Sequence, residues 1–155
     1  MNMSPMDRAI ALSLEKMTSN EGGPFGAVIV KDGKIIAEGW NQVTSSNDPT
    51  AHAEVNAIRK ACDKLETFSL EGCSIYTSCE PCPMCLSAIY WARLEKIYFA
   101  NTRQDAAKIN FDDEFLYAEI ATDIAKRKIP MIQQDRDSAI KVFEAWQNKS
   151  DKVRY

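Results

Sequence analysis

The sequence predicts a three-layer α/β/α domain with a mixed central sheet. Three observations predict it. Helical hydrophobic periods alternate with short β-branched runs, and an early Asp-Gly pair joins two of those runs as a hairpin. The chain has 155 residues, of which 45% are apolar and 26% charged, the size and composition of one globular domain. Alternating elements imply helices on both faces of a sheet, and a hairpin makes that sheet mixed rather than purely parallel. Residues 1–155 are therefore expected to form a single domain.

Each element follows from its pattern. Between Ser4 and Asn20, Met6, Ile10, Leu12, Leu14 and Met17 fall among polar residues, which predicts an amphipathic helix. Gly22, Gly23 and Pro24 end it. Strands are expected at Ala27–Val30 and Ile35–Ala37, turned by Asp32-Gly33. Asn41–Thr50 reads as a loop. Val55, Ile58, Ala61 and Leu65 recur at a helical period within Ala51–Leu65, and Asp48, Pro49 and Thr50 are residue types suited to a helix start. Cys73–Ser78 reads as a strand, Cys82–Ala92 as a short helix opened by Pro81, and Lys96–Ala100 as a strand. Asn101–Asn110 reads as a loop and Asp112–Ile120 as a helix. A late strand at Ile129–Gln133 and a last helix at Ser138–Asn148 complete the expectation.

Composition narrows the function. The formal net charge is −3, and Lys and Arg are thinly spread, with short groups such as Lys126–Lys128 expected on a solvated helix. A duplex-binding protein needs a basic footprint, so a small neutral substrate is favoured over a polynucleotide. No run of about 18 apolar residues suggests a membrane span. Met1–Asp7 lacks the features of an export signal, so a cytoplasmic protein is expected. Five cysteines, an odd number, then argue against a disulfide framework and for metal binding or burial. The chain has one histidine, His52.

Two fragments carry chemistry: His52-Ala53-Glu54 and Pro81-Cys82-Pro83-Met84-Cys85. Each begins a predicted helix. Cys82 and Cys85, three residues apart, share one helix face near its N-terminus, where the positive end of the helix dipole favours thiolates. With a neutral imidazole from His52 they make three ligands for one zinc ion, and two thiolates balance its charge. Three protein ligands leave the fourth tetrahedral position open, as in catalytic sites; structural sites close it. Glu54 is the carboxylate placed to take a proton from a metal-activated water. On an ideal helix it would lie about 200° from His52, so His52 is expected at the irregular helix start, with both side chains reaching one cavity. The structural alternative is a closed site that also uses Cys79. Cys79 falls at a strand end and is expected to face elsewhere, while Cys62 and Cys73 are expected in the core.

H-x-E followed by P-C-x-x-C is the signature of zinc deaminases, and the chain resembles that cytidine-deaminase-like superfamily. Pro24-Phe-Gly-Ala27, Asn41 and Asp48–Glu54 are similar to it as well. Within the superfamily the resemblance is to the bacterial guanine deaminases. It extends over nearly the whole chain, through Gly22–Lys31, Ser46–Glu54, Thr77–Cys85, Ile89–Arg93, Phe111-Asp-Asp113 and Tyr155. The resemblance implies zinc held by His52, Cys82 and Cys85, with Glu54 as proton carrier. It implies that Asn41 and Asp113 contact the base, that Asp113 shares in catalysis, that Phe25 stacks on the base and that Ala53 lies against it. It also implies a homodimer with exchanged C-terminal segments, in which Tyr155 reaches the neighbouring site. Taken alone, Asn41 is an ordinary turn residue, Asp112 or Asp113 a helix cap, Phe25, Trp40 and Trp91 packing residues, and Tyr155 a chain end. The motif sets the reaction and not the ring. Guanosine, cytosine or a tRNA adenosine are the alternative substrates, and a non-catalytic zinc-binding module is the alternative class.

Overall fold

The computed structural model describes residues 3–155. The chain divides into two compact units, the first ending at Tyr117 and the second running Ala118–Tyr155.

The first unit opens with α1 (Pro5–Thr18). Ser4 caps it by accepting from the Asp7 N–H, while the Asp7 carboxylate accepts from the Ser4 N–H, a reciprocal capping box. The predicted period is there, but the buried face is Ala9 and Leu12; Ile10, Leu14 and Met17 are exposed. The helix can come this close because the sheet carries no side chain at Gly26, where a Cβ would come within 2.3 Å of the Ala9 carbonyl oxygen.

Strands β1 (Gly26–Lys31) and β2 (Lys34–Trp40) form the expected hairpin, with Asp32 and Gly33 both at positive φ. β3 (Cys73–Cys79) pairs antiparallel with β1, and β4 (Lys96–Asn101) pairs parallel with β3, so the mixed sheet runs β2-β1-β3-β4. The helix α3 (Ala53–Leu65) covers the face opposite α1. It joins Ala27, Ile29, Cys73 and Ile75 in one apolar core, to which α4 (Pro83–Trp91) adds Ile89. At Gly39 the approach of α3 is so close that a Cβ would meet the Ala53 carbonyl oxygen at 2.2 Å. The α/β/α layering follows from this.

Three expectations are corrected. The loop Asn41–Thr50 contains a one-turn helix, α2 (Val43–Ser46). Asp48 does not cap α3; its carboxylate accepts from the Thr50 N–H and hydroxyl, forming a turn before His52. The loop Asn101–Asn110 contains α5 (Arg103–Lys108), started by a Thr102–Asp105 capping box that the T-x-x-D spacing already carries. Asp112 does cap the next helix, α6 (Glu114–Ala121), accepting from the Phe115 N–H. Cys73 is buried in the core and Cys62 packs against it, as expected. Trp91 is exposed, and Trp40 is flanked by the ammonium groups of Lys16 and Lys60, 4.2 and 3.8 Å from its ring.

In the second unit Ile129–Gln133 is not a strand, and Ile129, Met131 and Ile132 are exposed. Apolar spacing predicted the strand, but no neighbouring strand supplies a ladder within this unit. Arg127 is not merely solvated: its guanidinium donates to the carbonyls of Glu119, Ile120 and Thr122, capping the end of α6. The last helix, α7 (Arg136–Asn148), buries none of its residues. Among the described residues no helix is long and apolar enough to cross a membrane.

Candidate metal centre and substrate cavity

Two helix starts meet over one end of the sheet. His52 is the N-cap of α3, with extended backbone at φ −72° and ψ 156°. Leaving the helix there lets His52 and Glu54 face the same cavity although only Ala53 separates them. Cys82 is likewise the N-cap of α4, and Cys85 follows in its first turn. Pro83, with no N–H to satisfy, fits the first helical position between them.

The imidazole Nδ1 of His52 lies 3.5 Å from the sulfur of Cys82 and 3.5 Å from that of Cys85. The three ligand atoms all fall within 4.8 Å of one another. Tetrahedral zinc, with bonds of about 2.3 Å to sulfur and about 2.0 Å to nitrogen, separates such atoms by about 3.5 Å. The spacing therefore fits the ion without rearrangement.

The electrostatics fit it too. A hydrogen bond from Cys85, and then His52, draw the Cys82 thiol down to about 4. The bond to Cys82, burial and the charge on Glu54 push the Cys85 thiol far above its ordinary value. The dipole at the helix start thus supports one thiolate of the pair. Two adjacent buried thiolates repel, and a dication resolves that conflict by replacing the shared proton.

Cys79 borders the cavity but stands outside the ligand triad, as expected. Its thiol donates to the Thr102 carbonyl at 3.8 Å, and burial pushes it up to about 12, a neutral thiol. Glu54 is buried, and desolvation raises its carboxyl above the ordinary value. A carboxyl shifted in this direction holds a proton more readily, which suits a group that accepts and returns one.

The remaining cavity, about 710 Å³, is lined by Phe25, Asn41, Ala53 and Asp113 among others, and a volume of this size is usual for a small-molecule site. The Phe111 ring meets the Phe25 ring edge-on, with centroids 5.0 Å apart and planes at 89°. The Asn41 oxygen accepts from the Gly23 and Val43 N–H groups at 3.2 and 3.1 Å. Two donors require oxygen at that position, so the amide presents its NH2 as a donor. Asp113 does the opposite. Its Oδ1 is buried without a hydrogen-bond partner among the described residues, and burial raises its carboxyl above the ordinary value. A buried unpaired acceptor costs about 1–3 kcal/mol, a cost that a donor on a ligand would remove. Tyr155 belongs to the second unit and is exposed. Glu80, Phe111 and Met17 also line the cavity. Of these, Glu80 had a signal in the sequence, its place in the Cys79–Cys85 stretch, whereas Met17 read only as helix packing.

An open-sided His-Cys-Cys triad beside a buried glutamate, at paired helix starts on a mixed sheet, defines a zinc-dependent deaminase. The comparisons agree. Residues 3–101 match the model of the cytidine and deoxycytidylate deaminase zinc-binding region, and the chain belongs to this family. It is 54% identical to the guanine deaminase of Bacillus subtilis, over 97% of this chain and 96% of that protein. A solved structure of guanine deaminase from that organism superposes with a TM-score of 0.94 over the same shares. A guanine deaminase structure from Nitrosomonas europaea reaches 0.67 at 32% identity, covering 70% of this chain and 63% of that one. A tRNA-specific adenosine deaminase of Aquifex aeolicus is 47% identical over 59% of this chain and 61% of its own.

Replacing Cys85 with Ala is expected to weaken zinc binding by more than about 100-fold, since a ligand counts for more than the outer-shell groups that cost 10–100-fold. Replacing Cys79 with Ala should leave one zinc per chain. Metal analysis of both variants after dialysis against a weak chelator checks this.

Proposed function

We propose that this protein deaminates guanine hydrolytically to xanthine and ammonia. The observation that carries the reading is the opposed polarity of the cavity: a donor at Asn41 and an unpaired acceptor at Asp113. Guanine offers the complement, an acceptor at O6 and donors at N1 and N2. A wrong base would leave one of these buried groups unpaired, which is the strong form of discrimination. End-to-end similarity to a guanine deaminase supports the same substrate. The alternative of a tRNA adenosine draws on the partial similarity to tRNA deaminases, but a net charge of −3 favours a small neutral substrate over RNA.

In this reading His52, Cys82 and Cys85 hold zinc, Phe25 stacks on the ring and Ala53 lies against it. Zinc, when bound, supplies a Lewis acid that makes water a nucleophile near neutral pH. Glu54 accepts the proton that the water gives up and delivers it to the ring nitrogen beside C2, making that carbon more electrophilic. Asp113 holds the donor edge of the base, where its carboxylate stabilises the positive charge that ring protonation creates. Glu54 then takes the remaining proton of the hydroxyl now bonded to C2 and passes it to the amino group, so that the C2–N2 bond breaks, ammonia leaves and the oxygen from water remains on C2 as a carbonyl.

The proposal extends to a single deaminase domain over residues 1–155, in the cytoplasm, working as a homodimer with exchanged C-terminal segments. Tyr155 of the partner subunit would close each site. Two features support the exchange. No residue of α7 is buried, with Val142 67% and Phe143 72% exposed, and β4 stands at the edge of its sheet. Light scattering is expected to give twice the chain mass of 17.4 kDa, and a single-chain mass would remove the dimer.

Ultraviolet absorbance should follow conversion of guanine to xanthine by the zinc-loaded protein. Replacing Glu54 with Gln is expected to cut kcat by about 10²–10⁴-fold with zinc retained, the usual weight of a proton carrier. Conversion of a tRNA adenosine with none of guanine would replace the substrate, and undiminished turnover by the Gln variant would remove Glu54 from its role.

A further inference from the structure

The cavity wall joins parts distant in sequence: Cys82, on the turn between β3 and α4, and Asp113, just ahead of α6. One set of contacts links them. The Tyr117 hydroxyl donates to the Pro81 carbonyl at 2.8 Å, and the Tyr117 N–H donates to the Asp113 carbonyl at 3.2 Å. Asp113 and Tyr117 are four residues apart, one helical turn. The Arg103 guanidinium lies 4.5 Å over the Tyr117 ring and 3.7 Å from the Glu80 carboxylate, which also accepts from the Arg103 N–H at 3.2 Å. The Glu80 N–H donates to the Asn101 carbonyl at 2.8 Å. Pro81, which precedes the ligand Cys82, is thus tied directly to the segment that carries Asp113, and Glu80 is linked to it through Arg103.

This arrangement answers a mechanical need. The Asp113 Oδ1 is buried with no hydrogen-bond partner among the described residues, so the carboxylate is not held by bonds of its own. Its position is set through the start of α6, which the Tyr117 hydroxyl ties to the turn that leads to the metal ligand.

We infer that Tyr117 is a positioning residue for base recognition: its bond to Pro81 sets the Asp113 carboxylate at a defined place relative to the His52–Cys82–Cys85 triad. Tyr117 does not touch the base. The inference rests on reading Asp113 as the group that accepts from guanine.

The test is a double-mutant cycle on binding, in a zinc-loaded Glu54→Gln background that binds without turning over. Guanine affinity is measured by calorimetry for this parent, for Asp113→Asn, for Tyr117→Phe and for the pair, with zinc content measured for each. With Asp113 present, Tyr117→Phe is expected to weaken guanine about tenfold, the order of one hydrogen bond, with one zinc per chain retained. With Asp113→Asn already in place, Tyr117→Phe should add less than about twofold, because coupled residues are not additive. An unchanged affinity in Tyr117→Phe, a tenfold loss in both backgrounds, or loss of zinc from Tyr117→Phe would overturn the inference. A parent that fails to bind guanine overturns the substrate reading and this inference with it. Asp113→Asn that binds guanine as well as the parent removes the role of Asp113, and so the reason for positioning it.

Discussion

The contact between the first turn of α3 and strand β2 governs the site. Gly39 removes the side chain that would collide with the Ala53 carbonyl oxygen, and the Asn56 amide donates to the Trp40 carbonyl at 2.8 Å. Together they seat the start of α3 directly on the sheet. His52, extended at the cap, and Glu54, inside the helix, are thereby aimed into one space. A side chain at position 39 would lift α3 by more than the tolerance of a metal site, which is a few tenths of an ångström.

The second helix start supplies what the first lacks. Cys82 and Cys85 bring two sulfurs to the His52 nitrogen at equal distances. Their own electrostatics leave them one negative charge short of a full ligand set. That deficit links fold to chemistry, since the cation that completes the set also supplies the reactivity. The other wall is built on hydrogen-bond polarity. Asn41 is oriented by two backbone N–H groups, whereas Asp113 is left unpaired. The site therefore carries a donor, an acceptor and the buried carboxyl of Glu54 in fixed positions before any ligand enters, which is how buried polar groups discriminate between similar rings.

Much of this was legible in the residues because the signals were local. The Asp32-Gly33 turn, the helix periods and the two motifs depend on neighbours in sequence, and each marks its element within a residue or two. What stayed hidden depended on distance. The inner face of α1 is Ala9 and Leu12 because that face lies on the sheet at Gly26, and no period in the sequence says so. Cys79 borders the cavity because the end of β3 is followed at once by the ligand turn, while its thiol bonds to the Thr102 carbonyl. The strand expected at Ile129–Gln133 carried a fair β pattern, but a strand requires a ladder partner that its own unit does not provide. The orientation of the Asn41 amide and the Tyr117–Pro81 bond are both long-range events, invisible to spacing.

The central claim is an open metal site with three protein ligands and a fourth position left to water. X-ray absorption at the zinc edge of the loaded protein tests it most directly. Two sulfur neighbours at about 2.3 Å and two nitrogen or oxygen neighbours at about 2.0 Å are expected. Three sulfurs and one nitrogen would mean that Cys79 closes the site, and would contradict it.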